Sequence, residues 1–200
     1  IHSNDGRVTV FILGDHSKFK GAAKLNFEIA QKLKIKMINF QDIHAAKTSI
    51  QQCDVIIDAI FGTGLDREVG GKYKDVIDAI NESQKTVVSI DIPSGINGDT
   101  GQVMGTAIKA DYTITFGLPK LGNLLFPGFE YGGKLYLTHI SFPPALYNSD
   151  ELKISTNDPF PLKHREKDTH KGSYGKVLFI AGSSNYLGAP YFAALSFLKA

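Results

Sequence analysis

Val55-Ile-Ile-Asp58-Ala-Ile60 runs directly into Phe61-Gly62-Thr63-Gly64-Leu65-Asp66-Arg67-Glu68. The first stretch, Asp54–Ile60, is apolar from Val55 onward except for Asp58, and is rich in β-branched residues. Such a run predicts a strand covered on both faces, as in the interior of a parallel sheet. Upstream, Arg7–Leu13 and Ile35–Phe40 are further predicted strands. Between them, Phe19, Ala23, Phe27 and Ala30 recur at helical steps and predict a helix over Phe19–Leu33. A short helix is expected at Ala45–Gln51, and Tyr73, Val76, Ile77 and Ile80 mark the apolar stripe of another. Lys85–Ile92 is a strand stopped by Pro93; Ala110–Phe116 and Lys134–Ile140 complete the set. Strands that alternate with helices predict an α/β fold: a three-layer αβα, Rossmann-like, mostly parallel sheet.

The composition fits that class. Of 200 residues, 42% are hydrophobic and 21% charged, ordinary for a globular protein with a sizeable core. A net charge of +2 gives no reason to expect nucleic acid or a membrane surface as partner. The single cysteine, Cys53, excludes an internal disulfide and reads as a structural thiol. The apolar runs are too short to span a bilayer, and no secretory signal is visible, so a cytoplasmic location is expected. His2, His16, His44, His139, His164 and His170 show no metal-ligand spacing.

Composition shifts at Phe142–Pro144. From there to about Lys171, four prolines and many polar residues predict a linker with little regular structure. Lys176–Ala181 then reads as a new strand, Gly182–Asn185 as a turn and Ala189–Ala200 as a helix. The expected organisation is a domain over 1–142, a linker over 143–170 and the start of a second domain over 171–200. The chain opens on Ile1 and stops inside the last helix, so it is expected to be a piece of a longer protein.

Ligands of an open parallel sheet collect beyond the carboxyl ends of its strands. Two strand ends here carry polar, glycine-rich loops. In Gly62–Glu68, Gly62 and Gly64 would let the backbone approach a phosphate and backbone N–H groups hold it at a helix start, with a plain turn as the alternative. It is not a dinucleotide fingerprint, because Arg67 stands where a glycine is required. Asp58 and Asp91 each end an apolar strand, where a carboxylate must be paired or bind a cation; a capping or turn acid is the alternative. Ser94 lies in Pro93-Ser94-Gly95, which lacks the hydrolase pattern, and its oxygen suits a hard monovalent cation. Lys120, just past the Ala110–Phe116 strand, would offset phosphate or carboxylate charge, or else is a solvated loop lysine.

Four motifs resemble, in order and spacing, the NAD(P)H-hydrate epimerase domain over about residues 8–142. They are Asp58-Ala-Ile-Phe-Gly-Thr-Gly-Leu65, Val88-Ser-Ile-Asp-Ile-Pro-Ser-Gly-Ile96, Gly98-Asp-Thr-Gly101 and Ala110-Asp-Tyr-Thr-Ile-Thr-Phe-Gly-Leu-Pro-Lys-Leu-Gly122. Lys171-Gly-Ser-Tyr-Gly-Lys-Val-Leu-Phe-Ile-Ala-Gly-Ser183 and Gly188-Ala-Pro190 resemble the start of the ADP/ATP-dependent NAD(P)H-hydrate dehydratase domain, which is ribokinase-like. The resemblance implies a nucleotide repair enzyme that interconverts the C6 epimers of hydrated NADH or NADPH. A fused dehydratase would then remove water with ADP or ATP. It implies that Asp58 and Ser94 help bind potassium, and that Gly62, Thr63, Gly64, Leu65, Asp66, Arg67, Glu68 and Asp91 contact the hydrated dinucleotide. Lys120 is counted among the substrate-binding residues, and a homo-oligomer is expected.

The family's Asn-Asn-Gly-Gly-Asp-Gly loop and the dehydratase's glycine-rich catalytic segment are not in this sequence, so these 200 residues alone are expected to be weak or inactive. Asp91 is the expected acid/base group, because burial at an apolar strand end raises a carboxyl's proton affinity. A non-catalytic dinucleotide-binding module of the same fold is the competing expectation; an ordinary dehydrogenase is disfavoured by the missing fingerprint.

Overall fold

A computed structural model of the chain describes residues 1–147, 149–155, 164, 166–170 and 172–199. It divides into two compact units, Ile1–Leu152 and Lys153–Ala200.

In the first unit, β1 (Thr9–Ile12) and β2 (Lys36–Asn39) form a two-stranded parallel sheet, connected by α1 (Gly21–Lys32). α2 (Ile43–Gln52) begins at Asp42, whose side chain accepts the Ala45 N–H at 3.0 Å, an ordinary N-cap. β3 (Val55–Asp58), β4 (Thr86–Ile90), β5 (Tyr112–Phe116) and β6 (Lys134–Thr138) form a second, four-stranded sheet in chain order, parallel throughout. The expected parallel α/β architecture is therefore present, in two hydrogen-bonded sheets. Each predicted strand of this unit is found, trimmed at one or both ends.

The crossover from β3 to β4 is α3 (Gly71–Glu82). It buries Val76, Ile77, Ala79 and Ile80 on one side, the spacing of a single helical face. Val76, Ile77 and Ile80 join Leu65, Val69, Val87, Ile108 and Ala110 in the main core. Each fully buried large apolar side chain contributes about 1.5–3 kcal/mol, so this face is the chief reason the helix sits where it does.

No helix connects β4 to β5. The connection instead folds on itself: Ile96 bridges Val103, the Met104 N–H donates to the Gly95 carbonyl (2.8 Å), and the Ile108 N–H donates to that of Ser94 (2.9 Å). It buries Ile92, Ile96 and Ala107 as a second small core. Gly95 is obligatory there. Its φ is +100°, and a Cβ would stand 2.0 Å from the Thr106 carbonyl oxygen. α4 (Leu121–Leu124) and α5 (Gly128–Tyr131) lie between β5 and β6.

Two expectations fail. Cover on both faces of the central run is not found: Val55 and Ile57 stay 47% and 43% exposed. In register, Ile57 pairs with Val88 and Val88 with Tyr112, which puts the half-exposed Tyr112 on the same open face. Lys176–Ala181 is not a strand. Extended propensity needs a neighbour to pair with, and among the described residues of the second unit there is no second strand; Leu178 and Ile180 are 82% and 91% exposed. That unit holds α7 (Gly188–Lys199), which matches the predicted helix, and a single Ser183–Tyr186 bridge. A short helix, α6 (Pro144–Tyr147), lies within the predicted linker. Residues 148, 156–163 and 165 of that linker, Lys171 and Ala200 lie outside the described residues.

Candidate functional site

β3 ends on Asp58, which is 1% exposed. A bare carboxylate at that depth would cost several kcal/mol, and four donors answer it. Oδ2 accepts the Ser89 hydroxyl at 2.7 Å and the Ser94 N–H at 2.8 Å; Oδ1 accepts the Ser94 hydroxyl at 2.6 Å and the Ile60 N–H at 3.3 Å. Ser94 in turn accepts the Phe61 N–H at 2.8 Å. Asp58 thereby ties the end of β3, the last turn of β4 and the Pro93–Ser94 turn into one knot.

Asp91 follows β4 directly and takes a left-handed backbone, φ 70°. That conformation is strained for a residue with a Cβ and is held from both sides. Its N–H donates to the Ile114 carbonyl (2.8 Å), and its own carbonyl accepts from Asn123 Nδ2 (3.2 Å). The turn aims the side chain at the end of β5. Oδ1 accepts the Thr115 hydroxyl at 3.0 Å, the Phe116 N–H at 3.2 Å and the Lys120 ammonium. Asp91 and Lys120 form an ion pair whose side chains are 23% and 24% exposed, so water reaches it. At this strand end the carboxylate is paired with the Lys120 ammonium and only partly desolvated.

The loop after β3 is pinned at two points. Leu65 is buried in the main core, and its carbonyl accepts from Asn97 Nδ2 at 3.3 Å; the Val69 N–H donates to Met104 at 2.8 Å. Gly62, Thr63, Gly64, Asp66, Arg67 and Glu68 are exposed. No atom lies within 4 Å of a Cβ built on Gly62 or Gly64, so open space, not packing, surrounds them. Two expectations change here. Leu65 anchors the loop, and its side chain is not presented to a ligand. Gly62 and Gly64 lie well before Gly71, the first residue of α3, so this loop is no helix N-terminus for a phosphate.

Sequence reasoning missed Ser89, Thr115, Asn97 and Asn123. The usable signal was a lone polar residue at an inward position of an apolar strand. Ser89 in Val87–Ile90 fits it and is fully buried; Thr115 does not stand alone, because Thr113 alternates with it in Tyr112–Phe116 and both threonines are fully buried.

The oxygens of Asp58, Ser94 and Phe61 lie together, with Ser94 Oγ 2.6 Å from Asp58 Oδ1 and 3.2 Å from the Phe61 carbonyl oxygen. This all-oxygen set suits a hard cation and fits one side of a coordination shell. Among the described residues, no group of three or more His, Cys, Asp or Glu could hold a metal.

The profile described as YjeF-related protein N-terminus matches residues 1–122. This chain belongs to that family. As a YjeF-related N-terminus it is 51% identical over 195 residues to a bifunctional NAD(P)H-hydrate repair enzyme Nnr of Thermofilum pendens, covering 96% of this chain and 37% of the relative. It is 40% identical over 146 residues to an NAD(P)H-hydrate epimerase of Levilactobacillus brevis, covering 73% of this chain and 63% of the relative. The chain thus spans under two-fifths of the Thermofilum enzyme and under two-thirds of the Levilactobacillus one. The crystal structure of yeast ynu0 matches with a TM-score of 0.52 at 20% identity, over 66% of this chain and 52% of that one, which speaks for the fold. Among the described residues, no helix is long and apolar enough to cross a membrane.

Proposed function

We propose that this YjeF-related N-terminus repairs nicotinamide nucleotides by interconverting the C6 epimers of hydrated NADH and NADPH. The observation that carries the reading is Asp91: a partly exposed carboxylate in a strained turn at the carboxyl end of a parallel sheet, next to an open, polar, glycine-containing loop. Its relatives' names supply the substrate.

C6 of the hydrate bears a hydroxyl and the ring nitrogen. Inversion requires one of these bonds to break and re-form. On either route a proton leaves or joins the hydroxyl oxygen, and a carboxyl that takes and returns it closes the cycle with no other reactant. Asp91 is the residue assigned this proton. Gly62, Thr63, Gly64, Asp66, Arg67 and Glu68, with the backbone of Leu65, would contact the dinucleotide. Asp58 and Ser94 would hold potassium, which when bound supplies a fixed positive charge for the substrate's phosphates.

In the same reading, residues 1–142 are the epimerase domain, 143–170 a linker and 171–200 the start of an ADP- or ATP-dependent dehydratase, a lyase. The protein is a cytoplasmic homo-oligomer. The test is the rate of epimer interconversion by the full-length natural protein and its Asp91→Asn variant, with binding of hydrated NADPH followed calorimetrically. Loss of turnover with the fold retained supports the assignment. Near-normal turnover in Asp91→Asn removes Asp91 from the role, and binding without turnover by the unaltered protein returns a binding module.

A further inference from the structure

The Asp91 carboxylate is asymmetric. Oδ1 is filled by three donors, the Thr115 hydroxyl, the Phe116 N–H and the Lys120 ammonium. Among the described residues, Oδ2 accepts no hydrogen bond, and the side chain is 23% exposed. A carboxylate oxygen with its lone pairs occupied is a poor proton acceptor; the free one is the better.

The lysine is equally committed. An ammonium has three N–H donors and no acceptor. Those of Lys120 face Asp91 Oδ1, Thr115 Oγ1 (3.2 Å) and the Phe116 carbonyl (3.0 Å). No donor remains for a phosphate unless one of these bonds breaks. The backbones are joined too. Asn123, 3% exposed, accepts the Lys120 N–H at 3.0 Å through Oδ1 and donates to the Asp91 carbonyl at 3.2 Å through Nδ2. One buried amide therefore fixes the spacing between the acid's turn and the start of α4.

From this geometry we infer that Lys120 is a positioning residue, not a substrate ligand: it fixes Asp91 Oδ1 so that Oδ2 alone faces the substrate and exchanges the proton with its C6 hydroxyl. This rests on the epimerase reading for the identity of the substrate; the placement of Oδ1 by Lys120 does not. In the transfer, the substrate O–H bond breaks as the Oδ2–H bond forms; the oxygen's electron pair closes C6=O as the C6–N1 bond breaks, its pair moving to the nitrogen and the conjugated carboxamide, and the proton returns to the oxygen when the nitrogen re-adds to the other face of C6.

The experiment compares kcat and KM for hydrated NADPH in the full-length natural protein and its Lys120→Met, Asp91→Asn and doubly substituted forms. Alongside it, the Lys120 side-chain ammonium is observed by 1H–15N NMR at low temperature and mildly acidic pH. A positioning residue predicts a kcat lower by about 100-fold in Lys120→Met, at the low end of what a positioned acid/base supplies. KM should stay within about 2-fold, and the double variant should be no slower than Asp91→Asn. The ammonium protons should exchange slowly enough to be seen in the unaltered protein and vanish in Asp91→Asn. A KM raised about 10-fold or more with kcat preserved, or losses that multiply in the double variant, would make Lys120 a substrate ligand and overturn the inference. If the unaltered protein does not interconvert the epimers, the epimerase reading falls and the NMR signal alone decides: seen and lost in Asp91→Asn, the pair stands; unseen, it fails.

Discussion

Asp58 and Ser94, 36 residues apart, are joined twice: the serine's N–H donates to Oδ2 at 2.8 Å and its hydroxyl to Oδ1 at 2.6 Å. A single side chain thus holds the Pro93–Ser94 turn against the end of β3. Removing one partner leaves a buried carboxylate short of a donor, a change that typically costs about 1–3 kcal/mol. Ser94→Ala should therefore lower the denaturant midpoint with an unchanged slope, and Asp58→Ala should lower it further. An unshifted midpoint in Ser94→Ala would show that water replaces the hydroxyl without loss.

The same pair gives a cation test that needs no turnover. If Asp58 and Ser94 hold potassium, the thermal midpoint of the full-length natural protein should rise with potassium and not with lithium at equal ionic strength. In Ser94→Ala the difference between the two salts should shrink. Identical midpoints in both salts for the unaltered protein would remove potassium from this site.

Gly95→Ala should be among the most damaging single substitutions in the chain. The added carbon would meet the Thr106 carbonyl oxygen at 2.0 Å and Ala107 Cα at 2.6 Å, in a backbone with φ +100°. Overlap with backbone cannot relax by a rotamer change, so a loss of at least several kcal/mol is expected. Soluble expression and circular dichroism of the variant provide the check; a normal melting profile would mean that the turn can rebuild.

Asp78 on α3 pairs with Lys74 one turn earlier and accepts the Thr106 hydroxyl at 3.1 Å. The Lys74 hydrogen bond, with help from Thr106, holds its carboxyl below the usual carboxylate value of 3.8. A depressed carboxyl stabilises the fold above its unfolded value and loses that contribution as pH falls through the folded one. The loss therefore lies below about pH 4. The pair is largely solvated, so the effect is small. Acid titration of Asp78→Asn against the unaltered protein should show the two stability curves converging in that range.

In the second unit, amides of Val177–Ile180 should exchange with solvent at nearly unprotected rates, because no backbone hydrogen bond involves them among the described residues and the side chains are mostly exposed. Protection across these four in a monomeric sample would show that they find a partner in solution.

Much of this fold was legible because its strands are short, β-branched and bounded by glycine, proline or polar residues; β3, β4 and β5 declare themselves that way. Asp58 and Asp91 were legible for a related reason, as carboxylates where an apolar run makes them expensive. What completes them was not. Ser89 and Thr115 look like the polar half of an ordinary alternating strand until their buried faces are known. The Lys120–Asp91 pair spans 29 residues, and nothing local announces it. Leu65 misled because it sits within a motif; an apolar side chain in a polar loop is more often its anchor than its contact. Lys176–Ala181 misled because propensity describes a segment, whereas a strand is a property of two.

The open face bearing Val55, Ile57 and Tyr112 bears on heat. Apolar surface that is wet in the native state is wet in the unfolded one as well, and adds nothing to the heat capacity of unfolding. Residues 1–152 should therefore unfold with a heat-capacity increment below the roughly 12–15 cal/mol/K per residue of fully covered domains. A smaller increment flattens the stability curve, so this unit's stability should vary less with temperature on either side of its maximum than that of a fully covered sheet of equal length.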